Sequence, residues 1–179
     1  MSPERFRAVV AVHLLLLRGE EVLLLRRANT GYEDGNYSVI AGHLDGNETV
    51  SQAMAREAAE EAEIMVGSAD LRFVHIMHRK EAADADERID LFFAATRWQG
   101  EPKIGEPEKC GELRWAALHA LPTNMVPYVR VAFEQFRQNR HFSEFWPVLG
   151  PAAGAQSGGG QTEVAADVLA GGDPAGPRS

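Results

Sequence analysis

Three glutamates lie close together in one helix-forming segment of this 179-residue chain. Glu57, Glu60 and Glu61 are three and four positions apart, so a helix would place their carboxylates on one face. Like charges at these spacings repel each other, and no lysine in the segment offsets them. Carboxylate oxygens are the ligands that hard divalent cations such as Mg²⁺ prefer. The residue types therefore indicate either a metal site or a solvated acidic stripe, and they leave both open.

The spacing around these glutamates is more specific than their charge. Gly42 is followed after five residues by Glu48, and after seven more by the run Arg56-Glu57-Ala58-Ala59-Glu60-Glu61-Ala62-Glu63-Ile64. These 23 positions resemble the signature of the Nudix family, and a weaker resemblance extends over about residues 6–138. The family has a glycine where this chain has Glu63. The helix is predicted to run to about Glu63. Because a left-handed backbone at that position would cost Glu63 about 1 kcal/mol or more, we expect its end to be adjusted, and an extension toward Gly67 is one form of that adjustment.

The resemblance implies a metal-dependent pyrophosphohydrolase. By that resemblance, Mg²⁺ or Mn²⁺ would be bound by three carboxylates and a backbone carbonyl, those of Glu57, Glu60, Glu61 and the Ala41–Gly42 segment. Glu48 and Arg56 would pair with each other and hold the preceding loop on the helix. The metal would bridge phosphate oxygens, neutralise developing charge and activate water.

A general base is expected by comparison with MutT-type members of the same family. In those proteins an additional glutamate lies in a loop after a stretch that resembles residues 97–102, and counting along the loop reaches Glu106. A general base must reach the attacking water directly or through one intermediary. The nearby acids Glu101, Glu108 and Glu112 leave the choice among these glutamates open.

Three residues are candidates for contact with the substrate. In MutT-type proteins the second arginine of a similar Arg-Arg-Ala run contacts the nucleotide, which points to Arg27; a surface salt bridge is the alternative. Trp115 could stack on a base, although a core aromatic fits its pattern better. The Asn124 amide could read a purine edge, or it could cap a helix. His43 lacks metal-ligand spacing with the other histidines, and we assign it no role.

The substrate class follows only by elimination. The region after the signature lacks the proline typical of ADP-sugar hydrolases and the tyrosine typical of dinucleoside polyphosphate hydrolases. The resemblance therefore favours hydrolysis of a (d)NTP, including an oxidised one, to the monophosphate and pyrophosphate. One alternative is a pyrophosphatase for an ADP-sugar or another nucleotide derivative. The other is a non-catalytic Nudix module that binds a nucleotide as a sensor.

The elements that position these residues can be predicted from hydrophobic periodicity. Thr49 and Gln52 form a capping-box pattern that begins the glutamate helix. Branched apolar runs indicate strands, and a closing helix follows Pro122; the strands span 8–17, 22–25, 38–41, 71–78, 89–96 and 113–117, and the helix spans 126–138. Together with the resemblance, this predicts an α/β fold, a Nudix-like α/β/α sandwich around a mixed β-sheet.

Composition bears on the partner, the location and the domain organisation of the chain. The chain has 26 Asp and Glu against 18 Lys and Arg, so it lacks the basic footprint expected for a nucleic acid polymer. Its longest apolar run is too short to cross a membrane, and its single cysteine, Cys110, fits the cytoplasm. We expect a Nudix hydrolase domain over 1–150 and a disordered Gly/Ala/Pro-rich tail over 151–179. The partner would be a small-molecule nucleotide. The sequence does not show the oligomeric state, although the resemblance allows a homodimer because Nudix relatives often dimerise.

Overall fold

The computed structural model describes residues 5–82 and 84–146. In this range the strands are β1 (Val9–Arg18), β2 (Glu21–Arg27), β3 (Tyr37–Ser38), β4 (Ile40–His43), β5 (Arg72–Arg79), β6 (Arg88–Ala95), β7 (Cys110–Ala117) and β8 (Phe142–Phe145). The helices are α1 (Val50–Ala62) and α2 (Pro127–Arg137), with a short 3₁₀ turn at Ser68–Asp70. No helix among the described residues has the length and apolar character needed to span a membrane. The tail expected over 151–179 lies outside the described residues.

The strands form one mixed sheet with β1 at its centre. β1 pairs in parallel with β6, from Val9 opposite Arg88 to Leu16 opposite Ala95, and β4 pairs antiparallel with β1. β5 lies antiparallel beside β6, and β8 extends the sheet in parallel beside β5. Past the β1–β2 hairpin, β2 pairs antiparallel with both β3 and β7. This arrangement brings the ends of β2 and β4 close to α1.

Each face of the sheet is covered by one helix. Successive side chains of a strand point to opposite faces, and β1 is apolar on both. Leu14 and Leu16 pack in the cluster that contains Met54 of α1, whereas Leu15 and Leu17 pack in the cluster that contains Phe133 of α2. The predicted α/β/α sandwich around a mixed sheet is therefore confirmed.

Helix α1 begins as its sequence predicts. The Thr49 hydroxyl accepts a hydrogen bond from the Gln52 backbone N–H at 3.3 Å, and the Gln52 side chain accepts one from the Thr49 N–H at 2.8 Å. This reciprocal pair is the capping box, and it satisfies two N–H groups that the first turn leaves without helical partners.

The predicted end of α1 at about Glu63 is confirmed, and the extension toward Gly67 is wrong. The helix ends at Ala62, and Glu63 adopts the left-handed conformation, with φ 53° and ψ 31°. A later segment uses the last carbonyls of the helix, because the Lys103 N–H donates to Ala62 O and the Gly105 N–H donates to Glu61 O, both at 3.0 Å. Glu63 therefore keeps the left-handed backbone conformation that favours glycine.

Two short strands differ from the prediction, and one of them, β8, was not predicted at all. Strand β8 has four residues, and it is defined by its parallel pairing with the second half of β5 rather than by its own pattern. The strand predicted over 38–41 is divided in two, because β3 (Tyr37–Ser38) covers its first residue and pairs with the end of β2 at Leu25 and Arg26, whereas β4 begins at Ile40. Both strands depend on a distant partner strand, which local periodicity does not reveal.

Candidate active site

Glycine allows a close approach where β4 passes α1. A Cβ atom built on Gly42 would overlap the carboxylate of Glu57, so any larger residue would displace that carboxylate from its present position. Glu57 is buried here, with 9% of its surface exposed. Burial raises the pKa of the Glu57 carboxyl, and the adjacent Arg56 opposes that rise. Gly42 and Glu57, which lie 15 positions apart in the signature, therefore meet in space.

Glu61 lies one helical turn further along the same face. Its Oε2 accepts a hydrogen bond from the Ala41 N–H at 2.9 Å, which ties the end of α1 to β4. Burial raises the pKa of Glu61 to about 8; the Ala41 hydrogen bond opposes this rise, and the nearby carboxylates of Glu57 and Glu106 add to it. Several carboxylates are thus crowded together in a place with little solvent.

Arg56 connects the loop before α1 to the helix. It binds Glu48 through two contacts, Nη2 to Oε1 at 2.8 Å and Nε to Oε2 at 3.2 Å. Its Nη2 also donates to the His43 carbonyl at 3.0 Å, and its Nη1 lies 2.7 Å from Glu57 and 3.1 Å from Glu60. The Arg56 hydrogen bonds hold the pKa of Glu48 below its usual range. Glu48 and Arg56 therefore form the pair that the resemblance implied.

The segment after Lys103 brings Glu106 to the same region. A Cβ atom on Gly105 would overlap the Glu60 carbonyl, so this segment lies directly against the last turn of α1. The next residue, Glu106, is half-buried, and its carboxylate is paired with Lys109 Nζ at 2.7 Å. Glu106, the candidate general base, is far from α1 in the sequence and thus lies beside it in the fold.

These side chains line one cavity of about 430 Å³, which we call the carboxylate cleft. Its acidic lining residues are Asp45, Glu57, Glu60, Glu61 and Glu106. Arg27 lines the same cleft from the end of β2, where its guanidinium donates to the Tyr32 carbonyl at 2.8 Å and to the Thr30 hydroxyl at 3.0 Å. The cleft therefore combines a carboxylate cluster with an arginine suited to phosphate.

The donor set fits a hard divalent cation. Carboxylate oxygens from Glu57, Glu60 and Glu61 line one cleft. Burial and the neighbouring carboxylates raise the pKa of Glu61, and a bound cation would favour its ionised form. Within residues 5–82 and 84–146, no three Asp, Glu, His or Cys side chains already surround a single point. In their present positions, Glu57 and Glu60 contact Arg56, and Glu61 contacts the Ala41 N–H.

Two of the expected substrate contacts lie elsewhere. Trp115 pairs with Leu23 in the sheet and stacks on Trp98 with ring centroids 6.0 Å apart, and it does not line the carboxylate cleft. The Asn124 side chain donates to the Gly35 carbonyl at 2.9 Å and does not line the cleft either. The N-cap of α2 is Val126, so Asn124 does not cap that helix. Both side chains are occupied by structural contacts.

Two cleft residues were missed by the sequence analysis. His43, to which we assigned no role, lines the carboxylate cleft, and its Nε2 lies 2.6 Å from Arg88 Nη1. Lys109 also lines the cleft and pairs with Glu106 three positions earlier. The spacing of Glu106 and Lys109 was a visible signal for that pair. No local signal links His43 to Arg88, because the two are 45 positions apart.

Comparison with known proteins supports one family. The NUDIX domain model matches residues 5–136. The chain is 31% identical over 121 residues to the 8-oxo-dGTP diphosphatase of Escherichia coli strain K12, covering 66% of this chain and 86% of that protein. It is 34% identical over 107 residues to the NAD-capped RNA hydrolase NudC of Erwinia tasmaniensis, covering 59% of this chain. The aligned region spans only 38% of the length of that NudC protein.

The fold has matching solved structures. The MutT NUDIX hydrolase of Burkholderia pseudomallei superposes with a TM-score of 0.67 at 27% identity, covering 73% of this chain and 98% of that one. A NUDIX hydrolase of Nitrosomonas europaea, 20% identical, superposes with a TM-score of 0.63 and shares the fold. From the family match, these relatives and the site geometry together, the chain belongs to the Nudix hydrolase family.

Proposed function

We propose that this chain is a metal-dependent pyrophosphohydrolase that cleaves a nucleoside or deoxynucleoside triphosphate, oxidised forms included, to the monophosphate and pyrophosphate. The observation that carries the proposal is the carboxylate cleft, in which the glutamates of α1 and Glu106 face Arg27. An acidic chain with a formal charge of −8 would otherwise repel a polyphosphate. A cation among the glutamates and an arginine at the rim supply the attraction that the whole chain lacks.

The glutamates of α1 would bind the metal ion in the proposed reaction. Glu57, Glu60 and Glu61, with a backbone carbonyl near Gly42, would hold Mg²⁺ or Mn²⁺. When bound, such a cation neutralises charge on phosphate oxygens and favours formation of hydroxide from water. The Glu48–Arg56 pair fixes the loop between β4, which contains Gly42, and α1 against the helix.

Proton transfer and phosphate binding would depend on Glu106 and Arg27, which line the same cleft but lie outside α1 in the sequence. Glu106 would accept the proton of the attacking water, while Lys109 holds one of its carboxylate oxygens in place. A new P–O bond forms to the water oxygen, and the bond from phosphorus to the bridging oxygen breaks. Arg27 can donate two parallel hydrogen bonds to a phosphate if it releases the loop atoms that it now contacts.

The choice of a triphosphate is supported by the relative named 8-oxo-dGTP diphosphatase, of which the chain covers 86%. The NudC relatives match over a much smaller share of their length, and they favour a second candidate, the pyrophosphate bond of an NAD-type dinucleotide. We further propose a small-molecule partner rather than a nucleic acid polymer, a cytoplasmic location and a homodimer. Light scattering on the purified chain would measure the assembly directly.

A substrate panel tests the proposal. The four dNTPs, 8-oxo-dGTP, ADP-ribose, NADH and an NAD-capped RNA oligonucleotide would be incubated with the full chain and Mg²⁺, and the products would be separated by chromatography. We expect pyrophosphate and a monophosphate from at least one triphosphate, with kcat/KM above that for ADP-ribose and NADH. A higher kcat/KM for ADP-ribose or NADH would refute the proposed substrate class. Tight nucleotide binding without turnover of any compound would indicate a sensor.

A further inference from the structure

A second cavity of about 270 Å³ adjoins the carboxylate cleft. The two share Arg27, Ala41, Gly42 and His43 as lining residues. A ligand with one phosphate group in the carboxylate cleft can therefore extend into the second cavity. The carboxylate cleft has five acidic lining residues, whereas Glu81 is the one acidic residue among the described residues that line the second cavity. The two ends of such a ligand would thus meet different charges.

The lining of the second cavity is polar and rich in arginine. Apart from two tyrosines, its ionisable lining residues are Arg27, Arg79, Arg88, Glu81, His13 and His43. Within the described part of the chain, its aliphatic lining residues are only Ala11 and Ala41. Pockets for small organic ligands are usually lined mainly by apolar and aromatic side chains, with few polar groups. A chain with a formal charge of −8 therefore places three arginines around one small polar space.

Two of these arginines have only neutral partners. Arg27 donates to the Tyr32 carbonyl and to the Thr30 hydroxyl. Arg88 Nη1 lies 2.6 Å from His43 Nε2, and because a guanidinium can only donate, that nitrogen accepts without a proton of its own. Among residues 5–82 and 84–146, no carboxylate lies within salt-bridge distance of Arg27 or Arg88. Both therefore keep an uncompensated positive charge.

Arg79 and His13 add unpaired nitrogen atoms to the same wall. Arg79 is 3% exposed and His13 is 1% exposed, and both line the cavity. Arg79 Nη1 and His13 Nδ1 have no hydrogen-bond partner among the described residues. The Tyr128 hydroxyl is 3.1 Å from His13 Nε2, and if it donates there, the proton of the neutral imidazole is on Nδ1. Because buried polar atoms are nearly always paired, these two donors indicate an acceptor that the chain does not supply.

The neighbouring carboxylates do not cancel the charge of the cavity. Asp90, which does not line it, and Glu81, which does, both pair with Arg79. They leave the positive charges of Arg27 and Arg88 in place. A phosphate monoester carries about −1.5 to −2 at pH 7 and has three acceptor oxygens. Its charge and its acceptors thus match two free cations and two unpaired donors.

We propose that the second cavity binds a phosphate group through Arg79, Arg88 and His13, and that this group is the second phosphate of a substrate phosphorylated at both ends of its sugar. This inference rests on the proposed function, because it takes the scissile phosphates to lie in the carboxylate cleft. It narrows the substrate class to nucleotides that carry a further phosphate on the ribose. The hydrogen bonds from the two arginines would be charge-assisted. Free inorganic phosphate offers the same oxygens and is the other source of this group.

A binding comparison tests the inference without requiring turnover. Calorimetry on the full chain with Mg²⁺ would measure Kd for deoxyadenosine 3′,5′-bisphosphate and for deoxyadenosine 5′-monophosphate, which have the same base and sugar and differ by one phosphate. We expect the wild type to bind the bisphosphate about tenfold or more tightly, because hydrogen bonds to charged groups contribute on that scale. Arg88→Gln should remove most of this ratio. Arg88→Lys keeps a positive charge and should retain more of the ratio than Arg88→Gln does.

Arg72→Gln is the matched control for these variants. Arg72 is an exposed arginine at the start of β5 and lines neither cavity, so its replacement should leave the ratio unchanged. Thermal unfolding of each variant would show that it is folded. The wild-type ratio needs no variant, and equal Kd values for the two nucleotides would by themselves reject a substrate phosphate in this cavity.

Inorganic phosphate, titrated in parallel, separates the two sources of the phosphate group. Phosphate binding that depends on Arg88, together with equal Kd values for the two nucleotides, would assign the cavity to the free anion. If neither the ratio nor phosphate binding depends on Arg88, the inference is overturned. Triphosphate turnover in that case would leave the proposed function intact. Arg88-dependent binding without turnover of any triphosphate would instead reject only the proposed reaction.

Discussion

Substitution of Gly42 by alanine should separate catalysis from stability. A Cβ atom there would overlap the Glu57 carboxylate, and ordinary contact begins at 3.4 Å, so the carboxylate would have to move by at least about 1 Å. Misplacement by 1 Å can lower the rate by about 10²-fold. The overlapping atoms are the flexible end of a side chain, and Gly42 does not have a positive φ, so the backbone accepts alanine.

The stability of this variant should change little and could rise. Replacing glycine at a compatible position stabilises a protein by about 0.4–1 kcal/mol through the unfolded state, which offsets the cost of moving the Glu57 side chain. We therefore expect Gly42→Ala to retain its melting temperature within a few degrees while kcat/KM with Mg²⁺ falls about 10²-fold. The assays are thermal unfolding by circular dichroism and pyrophosphate release.

Gly46→Ala is the matched control for this experiment. A Cβ atom on Gly46 meets nothing within 4 Å, and the residue lies in the loop between β4 and α1. It should retain both activity and stability. Full activity in Gly42→Ala, or an equal loss in both variants, would refute the claim that Gly42 sets the position of the Glu57 carboxylate.

Three further predictions concern stability. Glu63→Gly should stabilise the fold by up to about 1 kcal/mol in urea unfolding because it relieves the left-handed backbone; Glu63→Ala should not, and equal effects would contradict the backbone explanation. Gly105→Ala should destabilise by about 1–3 kcal/mol because its Cβ meets the Glu60 backbone, whereas Gly111→Ala, with 3.7 Å to its nearest neighbour, should be nearly neutral. The pKa of His13 is about 4 in the fold against 6.5 for a free histidine, so the unfolded chain binds the extra proton. Stability should therefore fall by up to about 3 kcal/mol as the pH drops from 6.5 toward 4; His13→Phe should flatten this part of the curve, and an unchanged slope would contradict it.

The glutamate site could be predicted because its residues lie close together in the sequence, on one helix. Spacing along a helix fixes which carboxylates share a face, and Thr49 and Gln52 mark where that helix begins. The left-handed conformation of Glu63 at the end of the helix could not be predicted in this way. Glutamate favours helices, so nothing at Glu63 itself signals an end. The Lys103 and Gly105 N–H groups that receive the last carbonyls come from a segment 40 residues later in the chain.

The buried polar cluster of His13, Arg79 and Asp90 had no sequence signal for a similar reason. These residues belong to three strands, and only the register of β1, β5 and β6 brings them together. Each is unremarkable in its own local pattern. Trp115 and Asn124 were predicted to contact the substrate and do not line the cleft. Suitable chemistry alone does not indicate where a side chain points. In the fold, Trp115 stacks on Trp98 and Asn124 holds the loop at Gly35.

Metal dependence of pyrophosphate release in Glu61→Gln tests the central claim most directly. Glu61 lies in the carboxylate cleft and contacts the Ala41 N–H, whereas Glu63, two residues later, is exposed at the helix end. With Mg²⁺ titrated over the millimolar range, Glu61→Gln should lose about 10²-fold or more in kcat/KM, and Glu63→Gln should match the wild type. Turnover by Glu61→Gln at the wild-type rate, or wild-type turnover that persists in excess EDTA, would contradict the assignment of this cleft as a metal-dependent active site.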